Sequence, residues 1–151
     1  MRRKILSVGV SIPGDDDEYV DIDSDRSLLD ADIILFRPGI SRSYHEPGQK
    51  SYQGKPTLGT SGSFKAVEHA RHWRAELATA VEHGKTVVVF LAQPEEAYVY
   101  TGKKEHSGTG RNRQTTNFVD LFSSYQSLPV EFEKLCRAAA VKFARHQISA
   151  P

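Results

Sequence analysis

The stretch Ser107-Gly108-Thr109-Gly110-Arg111-Asn112-Arg113 holds the residues of this chain best suited to chemistry. Two glycines let the backbone bend so that successive amides point one way, the geometry of an anion nest. Arg111 and Arg113 add planar guanidinium forks that match phosphate or carboxylate. Thr109, Asn112, Thr115 and Thr116 offer short polar contacts, and Ser107 and Gly110 complete the candidate set. A solvated hairpin tip has the same composition, so the pattern alone does not separate the two. A second cluster lies in and beside residues 38–62, where Arg37, Arg42, Tyr44, His45, Lys50, Tyr52 and Lys55 interleave bases with aromatics. Tyr52 and Lys55 are expected to join the ligand site.

Two chemistries use these residues. One is binding without catalysis, with an anionic small molecule or a protein partner held by the two glycine-containing loops. The other is a hydrolase or transferase acting on a phosphorylated or nucleotide substrate. There His45 or His106 would be the general base, with Arg111 and Arg113 stabilising charge. No nucleophile–base pair or metal set assembles from the sequence, so the binding module is preferred, with no cofactor and no metal. Nucleic acid is the weaker partner, because the pI of 7.9 is below that of a dedicated binder.

Other patterns resolve to structure. His69, His72 and Glu76 share one helical face at ligand spacing, but no further cluster completes a metal site. Gly84-Lys85-Thr86 resembles the tail of a phosphate loop, yet a helix precedes it and a strand follows, the reverse of what that loop needs. Asp21, Asp23 and Asp25 open like a calcium loop, but Arg26 and Asp32 stand where glycine and glutamate are required. Cys136 falls on an apolar stripe and reads as core.

The elements that must position these residues follow from periodicity. Val67, Ala70, Trp73, Leu77 and Val81 recur at helical spacing, with Ser63 as the expected cap and Gly84 as the expected left-handed stop. Thr86 to Ala92 is an unbroken apolar run, which reads as a central parallel strand covered on both faces. Residues 4–12, 19–23 and 32–36 are expected as strands and residues 24–30 as one helical turn. Residues 38–62 read as a long loop and 102–116 as another, with short strands at 98–100 and 118–122. A second long helix is expected from Phe132, through Leu135, Cys136, Ala139, Ala140 and Phe143, with Lys142, Arg145 and His146 in its last turn.

Composition sets the frame. The chain has 151 residues, 38% hydrophobic and 26% charged, the balance of a globular protein with one domain. No run approaches the ~18 apolar residues of a membrane helix, and the N-terminus lacks a signal-peptide pattern, so a cytoplasmic location without membrane contact is expected. The single cysteine excludes an internal disulfide. The net charge of +1 conceals nine acids against one base between Asp15 and Asp32, and sixteen bases against ten acids from Ile33 onward. Such asymmetry steers an anionic ligand or a second subunit.

Over residues 32–92 the series strand, long loop, amphipathic helix, glycine turn, apolar strand resembles the flavodoxin-type scaffold of the class I glutamine amidotransferase-like and ThuA-like proteins. Ala92-Gln93-Pro94 stands where the amidotransferases carry a cysteine elbow, so the resemblance implies the scaffold and not that reaction. Tyr52-Gln53-Gly54-Lys55-Pro56, His72-Trp73-Arg74, and residues 84–91 and 107–116 are similar to segments of an uncharacterised family of bacterial proteins. That likeness, covering most of the chain up to Pro129, implies a role in bacterial defence or mobile-element biology. The expectation is a single α/β domain over residues 1–151, flavodoxin-like, with a mainly parallel sheet of about four to six strands and two long helices. Two helices cover too little of such a sheet, so a homo-oligomer is expected.

Overall fold

The computed structural model describes residues 2–14, 17–130 and 132. The fold is mixed α/β. Its elements in chain order are β1 (Ile5–Val8), β2 (Asp17–Val20), β3 (Ile33–Phe36), β4 (Ser51–Tyr52), β5 (Lys55–Pro56), α1 (Thr60–Glu82), β6 (Thr86–Val89), β7 (Glu96–Ser107) and β8 (Gln114–Ser123). Short 3-10 turns occupy Arg42–Tyr44, Gly110–Asn112 and Ser124–Ser127. Strands β1, β2, β3 and β6 form one four-stranded sheet in the order β2-β1-β3-β6, all neighbours parallel. β4 and β5 make a small hairpin, and β7 and β8 a long antiparallel ribbon.

Helix α1 covers one face of the sheet. Leu6, Val8, Ile34 and Phe36 alternate along β1 and β3 and are fully buried against it. Phe36 meets Trp73 with ring centroids 6.0 Å apart. The buried stripe of α1 runs through Gly62, Ser63, Ala66, His69, Ala70, Trp73, Leu77 and Ala80. It is rotated from the expected face: Val81 is exposed, and small residues bring the helix close to the strands. The helix ends as the sequence predicts. Gly84 has φ +72°, its amide bonds to Val81 O at 3.0 Å, and the Lys85 amide bonds to Ala80 O at 3.0 Å. That pair of bonds is the Schellman closure. The start differs: the cap is Gly59, and Ser63 lies inside the helix.

Two further expectations are corrected here. β6 is an edge strand, not the central one, and Val88 and Phe90 are 40% and 39% exposed. Its apolar run borders a sheet face that α1 does not cover, where Tyr19 is also exposed. Among the described residues there is one long helix instead of two. The second, with Cys136, lies beyond Phe132, outside the described residues. No helix among them is long and apolar enough to cross a membrane.

No helix links β2 to β3, and the expected helical turn at residues 24–30 is absent. Backbone groups in that connection need partners from elsewhere, and α1 supplies them. Trp73 Nε1 donates to Ile22 O at 2.7 Å, and His72 Nε2 lies 3.0 Å from Arg26 O, so that nitrogen carries the proton. Glu76 accepts from the Leu28 amide at 2.8 Å and from Ser27 Oγ at 3.1 Å. His72, Trp73 and Glu76 therefore clamp a loop, and His69 Nδ1 bonds instead to the Tyr44 hydroxyl.

Candidate functional site

The ribbon β7–β8 carries the strongest candidate residues, and its root is anchored in the core. Ala97, Val99 and Phe122 are buried. Tyr98 O accepts the Leu58 amide at 2.8 Å, and the Tyr100 amide donates to Ser63 Oγ at 3.0 Å. Ser63 Oγ also donates to Leu58 O at 3.2 Å, so this serine ties helix, loop and ribbon together. Beyond Tyr100 the character changes. Every residue from 101 to 118 is exposed. The stretch read as a loop at 102–116 is therefore two paired strands and a tip, standing clear of the domain.

Between Tyr100 and Lys104 the register shifts, with residues 101–103 opposing Phe118 alone. Gly102 takes φ +81° there. Thr101 Oγ1 stabilises the bulge, donating to Phe118 O and accepting the Lys103 amide, both at 3.2 Å. Pairing then resumes as Lys104–Asn117, Glu105–Thr116, His106–Thr115 and Ser107–Gln114. His106 Nδ1 lies 3.0 Å from Thr115 Oγ1.

At the tip, Gly108 has φ +82°, and a side chain there would meet Asn112 O at 2.4 Å. The amides of Asn112 and Arg113 bond to Thr109 O and Gly110 O, each at 3.3 Å. Two amides of the expected nest are thus engaged internally, and attraction for an anion falls to the side chains. Residues 101–118 hold Lys103, Lys104, Arg111 and Arg113 against the single acid Glu105. None of these four bases forms an ion pair among the described residues, whereas Lys4, Arg26 and Lys55 do.

Tyr52 and Lys55 sit at the other end of the ribbon. They flank the hairpin turn Gln53-Gly54, whose φ values of +50° and +76° fit a two-residue primed turn. Tyr52 packs edge-on against Tyr98, centroids 5.2 Å apart, and Tyr98 OH donates to Gln53 Oε1 at 3.0 Å. Lys55 Nζ lies 2.6 Å from Glu96 Oε2, and that bond raises the lysine's pKa above its ordinary value. Leu121, opposite Tyr98, is seven residues from Gln114, or about 24 Å along a strand. Tyr52 and Lys55 therefore brace the root, and the ribbon does not bring them to Ser107, Thr109, Gly110, Arg111, Asn112 or Arg113. His45 is also apart, exposed and 3.1 Å from Gln49 Oε1.

Between α1 and the ribbon root runs an open groove of about 1000 Å³, lined by Phe64 and Val67 on one side and Lys103, Lys104 and Asn117 on the other. Phe64 is 69% exposed on its wall. The N-terminus of α1 has no side-chain cap bond, but the Glu46 carboxylate lies where a Cβ on Gly59 would sit, within 2.5 Å of it. An acid there complements the positive end of the helix dipole. Lys103, Lys104, Gln114 and Asn117 were missed as site residues. Their only sequence signal is the polar run 103–117, which has no tyrosine, phenylalanine or tryptophan.

Compared with protein-family models, curated proteins and solved structures, the chain matches none.

Proposed function

We propose that the chain is a non-catalytic module that takes an anionic ligand, or an acidic surface of a partner protein, on its projecting ribbon. One observation carries this reading: four bases without ion-pair partners among the described residues stand on a fully exposed arm with one acid among them. An arm of that kind contributes nothing to the core, and its charges attract counter-charge from outside. The hydrolase or transferase reading needed His45 or His106 beside a carboxylate in a cleft shared with Arg111. The partners these rings have are an amide and a hydroxyl.

The scaffold we assign is flavodoxin-type. Support comes from the sheet order, which in chain order of its own strands runs 2-1-3-4 and is parallel throughout. In such sheets the crevice at the carboxyl ends of the strands is the usual ligand position. Here that crevice is a cleft of about 150 Å³ holding Gly9, Asp21, Arg37 and Glu95. Glu95 already accepts the Ile40 amide at 2.9 Å. The ribbon is the better candidate because its cations are open to solvent.

The test uses inorganic polyphosphate as probe and titration calorimetry as readout, with Arg111→Ala and Arg111→Lys beside the unaltered chain. Charge-assisted bonds contribute about 1.5–3 kcal/mol, so Arg111→Ala is expected to weaken binding roughly ten- to a hundredfold. Arg111→Lys recovers part of it, lacking the planar fork. Unchanged affinity in Arg111→Ala, with an unchanged melting temperature, rejects the role of the tip.

A further inference from the structure

Resting on the reading of the ribbon as the contact element, we infer that its polyanion is duplex DNA and that the ribbon enters the major groove. The inference starts from shape. Two antiparallel strands about 4.8 Å apart make a ribbon whose side chains span a groove about 12 Å wide. The fully exposed pairs from Lys104–Asn117 to Ser107–Gln114 cover three residue steps, about 10 Å, and the tip adds to that reach. The major groove is about 8.5 Å deep. The arm can therefore touch the groove floor while the domain stays outside the phosphate rails.

Chemistry narrows the ligand. The four bases do not converge on a pocket. Lys103 and Lys104 lie at the bulge and Arg111 and Arg113 at the tip, separated by the paired strands. Cations strung along an arm suit an extended polyanion better than a single phosphate. Between them lie groups that read base edges: Asn117, Gln114 and Asn112 match adenine. Thr115, Thr116 and Ser107 accept or donate to either.

Two further observations favour a duplex over other anions. Proteins that hold single strands stack bases on aromatic rings, and beyond Phe118, beside the bulge, the arm has none: residues 103–117 contain no phenylalanine, tyrosine or tryptophan. The near-neutral pI argues against nucleic acid only if charge is evenly spread. Here the bases of the arm stand apart, while Lys4 and Arg26 are tied to Glu18 and Asp30 in the acidic N-terminal part.

The experiment measures fluorescence anisotropy of a labelled 20-base-pair DNA duplex with the full chain between 50 and 200 mM salt. The same-length single strand and inorganic polyphosphate serve as comparison probes. The duplex is expected to bind more tightly than either. Log Kobs should fall with log salt at a slope of about −3 to −4, near 0.9 for each phosphate met by the four bases. Arg111→Ala with Arg113→Ala should make that slope shallower by about 2. Gln114→Ala with Asn117→Ala should leave the slope unchanged and reduce discrimination among duplex sequences. Dimethyl sulfate should find guanine N7, a major-groove atom, protected in the complex. Polyphosphate bound as tightly as the duplex overturns the inference and leaves the anion reading intact, and absence of binding to every probe overturns both. A preference for the single strand, an unprotected N7, or a slope untouched by the arginine pair in a variant of unchanged melting temperature also overturns it.

Discussion

The Tyr44 hydroxyl lies 2.6 Å from His69 Nδ1, with both side chains buried between the 3-10 turn at residues 42–44 and helix α1. The same hydroxyl reaches toward Ile22 O at 3.5 Å, and His69 Nε2 faces Asp25 Oδ1 at 3.4 Å across the clamped loop. Burial, aided by the negative charges of Asp23, Asp21 and Asp25, pushes the tyrosine pKa well above its ordinary 10.0. In the unfolded chain Tyr44 releases its proton near pH 10, while the folded chain retains it to higher pH. Above about pH 10 the folded state thus binds more protons, and stability falls as pH rises, by up to about 1.4 kcal/mol per unit from this group. Tyr44→Phe should lower stability by about 1–3 kcal/mol at neutral pH, because His69 loses its buried partner. It should also flatten the alkaline decline relative to the unaltered chain. Urea denaturation at pH 7 and across pH 9–11 measures both.

Gly62 shows a glycine required by close approach. A Cβ at that position would stand 2.0 Å from Tyr44 O and 2.9 Å from Tyr44 C. In an open helix alanine would gain about 1 kcal/mol over glycine. Here Gly62→Ala is expected to destabilise by about 3 kcal/mol through overpacking. Gly84→Ala is the contrast: nothing lies within 4 Å, and only the φ of +72° opposes it. Its cost should be about 1–2 kcal/mol. Thermal melts that rank the two the other way would refute the packing argument.

Ser7 is buried in the middle of β1, and its hydroxyl has no hydrogen-bond partner among the described residues. A buried polar group left unsatisfied opposes folding by about 1–3 kcal/mol. Ser7→Ala removes it without adding volume, and is expected to raise stability by about 1 kcal/mol. A lower denaturation midpoint in Ser7→Ala would mean the hydroxyl has a role that packing does not reveal.

Excision tests the independence of the ribbon. Tyr100 and Val119 are cross-strand partners, so replacing residues 101–118 with Asn-Gly leaves them joined by a favoured two-residue turn. Since every excised residue is exposed, the melting temperature should change by only a few degrees, while polyphosphate binding is lost. Loss of cooperative unfolding would show that the arm supports the core.

Much of the central unit was legible. The helix followed from its 3.6-residue period, and its end from Gly84. Its start was misread because Ser63 looks like a cap, while the fold uses that hydroxyl to join Leu58 to Tyr100. The apolar run at residues 86–92 indicated a strand but not its place. A single sheet face left open admits the same run at an edge. The ribbon was illegible for a different reason: with both faces in water it has no alternation to read. Glycine and threonine then look like loop. The candidate residues at the tip are neighbours in sequence, whereas Lys104 and Asn117 meet only through pairing across the hairpin.

The bulge at residues 101–103 places three residues opposite one, two more than the pleat requires. Because side chains alternate with a period of two, an even surplus leaves the sides of the ribbon unexchanged. Tyr98, Tyr100, Lys104 and His106 consequently project from one side, as do Leu121, Val119, Asn117 and Thr115. The arm has a parity. Inserting one cross-strand pair, a single residue in each strand, would turn Lys104 and His106 over relative to the root, whereas inserting two pairs would change only the length of the arm. A lineage could therefore tune how far this arm extends in even steps while keeping the same side chains aimed the same way.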